Sequence, residues 1–281
     1  MKANNRNSKT TSCLSLIIIL FIASTQTATA HEYWLDPVRA DWMAGDTLKL
    51  DIRNGENFTG QALPLHPPSL AAAGLITPTQ RLPLKGKSGN IPALKFPLQE
   101  SGLHLALLET QQRQVSYESA DEFRQFLSEH NWQSIYVDHS SSKNVDDEIV
   151  ETYKRYTKAL VSVSSKPDSE SASSPDNHTA LAYQGLQYEL VALNPPQDVD
   201  RLSIRVMREG EPTPNRQVEW YHRGDDGVVN KGVIQTDSNG IATIVTEEPG
   251  NYLLNSVWVE KLPGQSAHWQ SLWASLSFGK K

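Results

Sequence analysis

The feature that most constrains the fold is a series of short apolar segments, partly alternating with polar residues and separated by turn-forming residues. Between residues 187 and 278 these segments recur about every 8 to 12 residues, a spacing typical of an all-β sandwich. The Asn239-Gly240 pair supplies the positive φ angles that a tight hairpin turn requires. Comparable segments lie between residues 32 and 117. The sequence therefore predicts a mainly β protein with two β-sandwich domains, residues 31–118 and 181–281.

The segment between these domains, residues 119–163, is predicted to be a small helical insertion. Ser119 to Glu122 forms a capping-box sequence, and the apolar residues after it have helical spacing. This pattern predicts a short amphipathic helix that ends near residue 130. A second helix is predicted from Asp146 to about Leu160, where apolar and aromatic residues form a stripe at helical spacing. Both helices are expected to pack against the sandwiches.

Residues 164–180 are predicted to form a flexible linker. The stretch is rich in Ser, Pro and Asp and has no apolar periodicity. Such a composition buries too little apolar surface to offset the entropy lost on ordering the chain. The boundary of the second sandwich domain is therefore placed here.

Residues 1–30 have the three parts of a cleavable export signal. Three basic residues precede an apolar run from Leu14 to Ala23, which is too short to span a bilayer. Ala28 to Ala30 follows as a small-x-small cleavage site. Cleavage after Ala30 would release the mature chain into the periplasm with His31 as its first residue.

Composition excludes several classes of partner and site. The chain has 26 Lys and Arg against 32 Asp and Glu, and residues 1–30 hold three of the bases and none of the acids. The predicted mature chain is therefore acidic and unsuited to nucleic acid. Its only cysteine, Cys13, leaves with the signal, so a metal would have nitrogen and oxygen ligands. No second long apolar stretch follows, which predicts a soluble product without a transmembrane segment.

His31 is the first candidate metal ligand. As an N-terminal residue it would offer its α-amine and its ring Nδ1 to one ion as a six-membered chelate. Both are donors suited to Cu(II), Ni(II), Co(II) or Zn(II), and the general order of affinity places Cu(II) first. The alternative is that His31 is merely the residue that follows the cleavage site.

A second ligand is sought among the other histidines. His104 is the first choice because it shares a strand face with Ala106 and Leu108 and projects from a rigid element; the alternative is a hydrogen-bonded histidine inside the sandwich. His66, held extended by the prolines after it, and His268, before the last strand, rank lower. The remaining histidines are expected in helix-end, turn or polar segments: His130, His139, His178 and His222.

Six motifs carry a resemblance to a known family: His31 to Pro37, Gly45 to Leu48, Asn54 to Gly60, Tyr153 to Val163, Thr236 to Gly240 and Ser271 to Phe278. In these motifs the chain resembles the DUF4198 family over essentially its whole mature length. The resemblance implies a periplasmic protein built from β-sandwich modules and associated with cobalt or nickel uptake. The second half is also similar to transthyretin-like sandwiches, so the domains are expected to be Ig-like or transthyretin-like.

The sequence favours a binding protein over an enzyme, because it has no nucleophile-elbow, phosphate-loop, zinc-protease or calcium-loop pattern. The first hypothesis is an exported soluble protein that binds Ni or Co through His31 and passes it to a membrane metal transporter. The second is a copper carrier with a histidine brace. The third is a non-metal adhesion or carbohydrate-binding module, and an oxidative copper enzyme is the weakest.

Overall fold

A computed structural model describes residues 31–39, 41–140, 149–165, 178–262 and 268–281. The predicted signal peptide and most of the predicted linker lie outside these ranges. The described strands are β1 (Glu32–Pro37), β2 (Trp42–Met43), β3 (Thr47–Glu56), β4 (Thr59–Leu63), β5 (Leu70–Ile76), β6 (Arg81–Pro83), β7 (Leu94–Pro97), β8 (Gly102–Thr110), β9 (Arg113–Tyr117), β10 (Ile149–Ser164), β11 (Tyr188–Ala192), β12 (Arg201–Arg208), β13 (Glu211–Pro212), β14 (Gln217–Arg223), β15 (Val229–Gln235), β16 (Ile241–Val245), β17 (Gly250–Lys261) and β18 (Trp269–Lys280). The helices are α1 (Ala120–Glu129), α2 (Gln133–Ser140) and α3 (His178–Leu181), with single 3₁₀ turns at Pro67–Ser69 and Pro196–Asp198. The mainly β fold class is thereby confirmed.

The strands form three sheets. The first contains β1, β3, β4 and β7, and the third contains β11, β12, β13 and β16. The central sheet runs in the order β15-β14-β17-β18-β10-β8-β5-β6, and β2 and β9 also pair with β10. Strands β10 and β18 are parallel, whereas β17 and β18 are antiparallel. The central sheet therefore contains hydrogen-bonded strands from both halves of the chain.

The first and third sheets cover opposite faces of the central sheet. Successive side chains of a strand point to opposite faces, so Ala159 and Val161 of β10 pack with the first sheet. Tyr156 and Leu160 point the other way and pack with the third sheet. The two predicted sandwiches share this central sheet, and their division into separate domains stays a prediction.

Helix α1 forms where the capping box predicts it. The Ser119 side chain accepts a hydrogen bond from the Glu122 backbone amide at 3.2 Å. Phe123, Phe126 and Leu127 are the buried residues of the helix. They pack with Trp269 and other residues against the central sheet, so α1 covers a part of that sheet.

The predicted helix from Asp146 to about Leu160 is wrong over its described part, because residues 149–164 form strand β10, and residues 146–148 lie outside the described ranges. Ile149, Tyr153, Tyr156 and Leu160 have helical spacing, but the segment is also rich in β-branched and aromatic residues. It lies inside a sheet that is covered on both faces, and a strand buried in this way loses its simple alternation. None of the described helices has the length and apolar character that a membrane-spanning helix needs.

Candidate functional site

His31 lies at the beginning of β1, next to the end of β3. The antiparallel register pairs Glu32 with Gly55, which brings His31 opposite Glu56. The His31 Nε2 atom lies 3.3 Å from Oε1 of Glu56, and both side chains remain partly exposed. The predicted mature N-terminus is therefore next to a carboxylate.

Glu56 also belongs to the rim of a pocket of about 540 Å³. Three parts of the fold enclose this pocket: the start of β1 with the end of β3, helix α1, and the neighbouring strands β14 and β15. Its lining contains two basic residues, Lys231 and His130, and five carboxylates: Glu32, Glu56, Glu122, Glu129 and Glu219. A concave site lined mainly by one sign of charge raises the local concentration of ions of the opposite sign. The pocket is therefore suited to cations.

A hydrogen-bonded chain of side chains forms the inner part of the pocket. The Tyr221 hydroxyl donates to Oε1 of Glu32 at 2.8 Å and lies 3.4 Å from Oε2 of Glu219. It has one proton, so the shorter distance assigns that proton to Glu32. The second oxygen of Glu32, Oε2, is buried and has no hydrogen-bond partner among the described residues. Glu32 thus keeps one unused acceptor.

Glu219 is much better satisfied than Glu32. Its Oε1 lies 2.7 Å from His130 Nδ1 and 3.3 Å from Gln217 Nε2, and Asn255 Nδ2 donates to Oε2 at 2.9 Å. Burial by itself raises the pKa of Glu219, but the charge of His130 and these hydrogen bonds outweigh it and hold the pKa below the ordinary value. Glu219 is therefore the permanent negative charge of the inner pocket.

At Glu32 the net shift of the pKa is upward, the opposite of the shift at Glu219. Burial raises the pKa of this carboxyl to about 7, and the hydrogen bond from Tyr221 offsets only a part of the increase. The repulsion of Glu219 raises the pKa of Glu32 further. Glu32 therefore titrates near neutral pH, whereas Glu219 stays ionised there.

The contribution of Glu32 to the free energy of unfolding is expected to fall as the pH rises from about 4.5 to about 7. In that window folded Glu32 keeps a proton that the unfolded chain, with its ordinary pKa of 4.5, has already released. A proton held more tightly by the folded state stabilises it below the unfolded pKa, and this stabilisation is lost as the pH passes the folded pKa. Glu32→Gln removes this contribution, so the variant should lose less stability between pH 5 and pH 8 than the wild type.

Urea unfolding at the two pH values measures this difference. Glu247→Gln, which changes an exposed carboxylate outside the described pocket lining, serves as the control and should follow the wild type. An equal change in stability for wild type and Glu32→Gln would contradict the assignment.

His104 lies far from His31. It is completely buried on β8, where its Nδ1 lies 3.1 Å from the Gly102 carbonyl oxygen and burial lowers its pKa. It pairs with Val161 of β10, whereas the His31 carbonyl oxygen contacts Arg155, six positions earlier on the same strand. Six residues of a strand span about 20 Å. The structure therefore does not bring these two histidines together as ligands of one ion.

The two lower-ranked histidines also lie outside the described pocket lining. His66 is exposed, and its carbonyl oxygen accepts the Ser69 backbone amide in the 3₁₀ turn. The backbone amide of His268 donates to the Val150 carbonyl oxygen next to β10. Within the described ranges, no three His, Cys, Asp or Glu side chains are grouped as a metal site.

Sequence reasoning missed the inner pocket, although some of its signal was present. Gln217, Glu219 and Tyr221 alternate along β14 with Val218 and Trp220, and the alternation places the first three on one face. Both faces of β14 are largely covered, and one of them has polar side chains. Such a polar face indicates a buried polar site. Nothing in the sequence indicated that His130 and Glu32 would complete that face.

Fold and site together define a mainly β protein whose central sheet is covered on both faces and borders an acidic pocket beside the first residue of the predicted mature chain. The family model described as "Domain of unknown function (DUF4198)" matches residues 28–260. The chain belongs to this family. No curated protein matches it.

Solved structures show only distant likenesses. The "D0-D1 domain of Intimin" is 11% identical with a TM-score of 0.20, and the match covers 88% of this chain and 97% of that one. A tetra-tandem repeat in the extending region of a large adhesion protein is 10% identical with a TM-score of 0.19, covering 89% and 49%. Dimeric latent PorU from Porphyromonas gingivalis is 12% identical with a TM-score of 0.19, covering 90% and 21%. Likenesses at these scores carry no argument about this protein.

Proposed function

We propose that this protein is an exported, periplasmic binding protein for a divalent transition metal ion, Ni(II) or Co(II), which it holds through His31 after cleavage and passes to a membrane transporter. The observation that carries the proposal is the contact of His31 Nε2 with Glu56 at 3.3 Å. A chelate by the α-amine and Nδ1 leaves Nε2 as the N–H of the ring. Metal-binding histidines commonly donate this second N–H to a carboxylate, which fixes the tautomer and the ring orientation.

The donor set fits a metal of this class. The α-amine and the imidazole are borderline nitrogen donors, and Glu56 acts on the ring rather than as a first ligand. The amine exists only after cleavage. Because this amine belongs to the backbone, one of the metal ligands is not a side chain, and the site does not need three ligating side chains. The carboxylates of the neighbouring pocket attract cations toward it.

Metal titration of the mature chain tests this proposal. Exported protein is checked by N-terminal mass analysis, and Ni(II) binding is compared for wild type, His31→Ala, a form with one extra residue before His31, and Glu56→Gln. We expect the first two changes to weaken binding by well over tenfold because each removes a ligand. Glu56→Gln is expected to weaken it by about tenfold through the lost ring orientation. Glu118→Gln, an exposed carboxylate outside the described pocket lining, should leave binding unchanged.

Equal affinity of the extended and native forms would show that the α-amine is not a ligand and would overturn the proposal. Competition between Cu(II) and Ni(II) separates it from the copper carrier with a histidine brace. Failure of correctly processed protein to bind any of these metals tightly would favour the adhesion or carbohydrate-binding alternative.

A further inference from the structure

We propose that the inner part of the acidic pocket is a second binding site, for a small organic cation that bears a primary ammonium group, and that Glu32 is its anionic anchor. This site uses side chains of β1, α1 and β14 and does not depend on the chelate at His31. It concerns a different class of ligand from the metal ion proposed above.

Three buried polar atoms in the pocket lining lack hydrogen-bond partners among the described residues: Glu32 Oε2, Glu122 Oε1 and His130 Nε2. Glu32 is 8% exposed and its Oε2 has no hydrogen-bond partner among the described residues. His130 is 7% exposed, and within the same ranges its Nε2 has none either. A buried carboxylate oxygen without a hydrogen bond is unfavourable, so a ligand that donates a hydrogen bond to Glu32 gains free energy there.

The carboxylates of the lining favour a ligand whose hydrogen-bond donors also carry a positive charge. Glu32 offers a buried carboxylate oxygen without a hydrogen-bond partner, and the carboxylate of Glu219 lies in the same lining. An alkylammonium group carries three N–H donors and a positive charge, as does the side chain of lysine. It therefore supplies the donors and the compensating charge together.

The remaining lining fits the rest of such a molecule better than a bare metal ion. The volume of about 540 Å³ lies within the usual range for small-molecule pockets. Phe126 and Val233 add apolar surface that can pack against methylene groups. The rim carboxylates Glu56, Glu122 and Glu129 outnumber Lys231 there, which favours cations over anions and neutral molecules. No metal cluster of three acidic or histidine side chains exists within the described chain.

Calorimetric titration of the mature protein with 1,4-diaminobutane, in the presence of EDTA, tests this site. We expect saturable binding by the wild type and none with 1,4-butanediol, which has nearly the same shape but no charge. Glu32→Gln keeps an acceptor for Tyr221 and removes the charge, so it should weaken binding at least tenfold. Val233→Trp should also weaken binding, because it narrows the pocket from an exposed position on β15. Glu247→Gln is the matched control with wild-type affinity.

The proposal is overturned if the diamine shows no saturable binding, if the diol binds as tightly, or if both pocket variants retain wild-type affinity. Urea unfolding of each variant confirms that it is folded before its affinity is compared. His31→Ala should bind the diamine like the wild type. Loss of metal binding and loss of diamine binding are thus separate results, and either proposal can fail while the other stands.

Discussion

Glu189→Leu is expected to lower the free energy of unfolding by about 3–5 kcal/mol, because it leaves a buried cation without its partner. The Nζ of Lys158 on β10 lies 2.7 Å from Oε1 of Glu189 on β11, and their side chains are 2% and 0% exposed. Burial lowers the pKa of Lys158, while the charge of Glu189 partly restores it. The ion pair joins the central sheet to the third sheet, so its loss weakens the contact between them.

Lys158→Met should cost less than Glu189→Leu, since the two residues differ in their remaining partners. Without Lys158, the Glu189 carboxylate still accepts hydrogen bonds from the backbone amides of Gln184 and Leu186 at 3.1 and 3.2 Å. The double variant should be more stable than the sum of the single effects predicts, because it leaves neither charge unpaired. Urea unfolding of the four proteins measures these differences. A loss below about 1 kcal/mol for Glu189→Leu would contradict the role given to the pair.

Trp34→Ala is the second large effect, with an expected loss of about 3–5 kcal/mol of unfolding free energy. Trp34 lies in β1 and is completely buried against Phe58, Tyr221 and Leu253. Its ring meets that of Phe58 edge-on, with centroids 5.5 Å apart. This cluster holds the start of the first sheet against β14 and β17. The substitution should therefore also disturb the Tyr221 hydroxyl and the pocket.

A more conservative change at the same position separates volume from hydrogen bonding. The Trp34 Nε1 atom is buried without a hydrogen-bond partner among the described residues. Trp34→Phe removes this unsatisfied donor while keeping most of the ring, so it should cost much less than Trp34→Ala. Val38→Ala, at a neighbouring position that is 53% exposed, is the control and should stay within about 0.5 kcal/mol of wild type. An equal loss of stability for Trp34→Phe and Trp34→Ala would contradict the role given to the volume of this side chain.

Local sequence signals predicted the elements whose cause is local. The capping box at Ser119 predicted α1 because its hydrogen bond joins residues three positions apart. The tight turn at Asn239 and Gly240 leads from β15 in the central sheet to β16 in the third sheet, so it is not a hairpin, and of the two residues only Gly240 has a positive φ, 71°. Strand β10 was misread because its burial depends on two covering sheets that no local pattern reveals.

The candidate site, in contrast, depends mainly on contacts between residues that are far apart in the sequence. The carboxylate next to His31 follows from the register of β1 against β3, which brings Glu56 from 25 positions away. The inner pocket requires Glu32, His130 and Glu219, which come from three distant parts of the chain. His104 was correctly placed on one face with Ala106 and Leu108, but the direction of a side chain does not tell which part of the molecule it faces.

By itself, the sequence determined the mainly β class, the acidic charge, the absence of thiol ligands from the predicted mature chain and the family resemblance. These properties depend on composition, short-range periodicity and contiguous motifs, all of which can be read along the chain. Only the tertiary structure decided that one central sheet serves both halves, that His31 lies beside Glu56 rather than His104, and that Glu32, Tyr221, Glu219 and His130 form one pocket. Burial and charge pairing there arise between residues remote in sequence, because sheet register and the packing of layers bring them together.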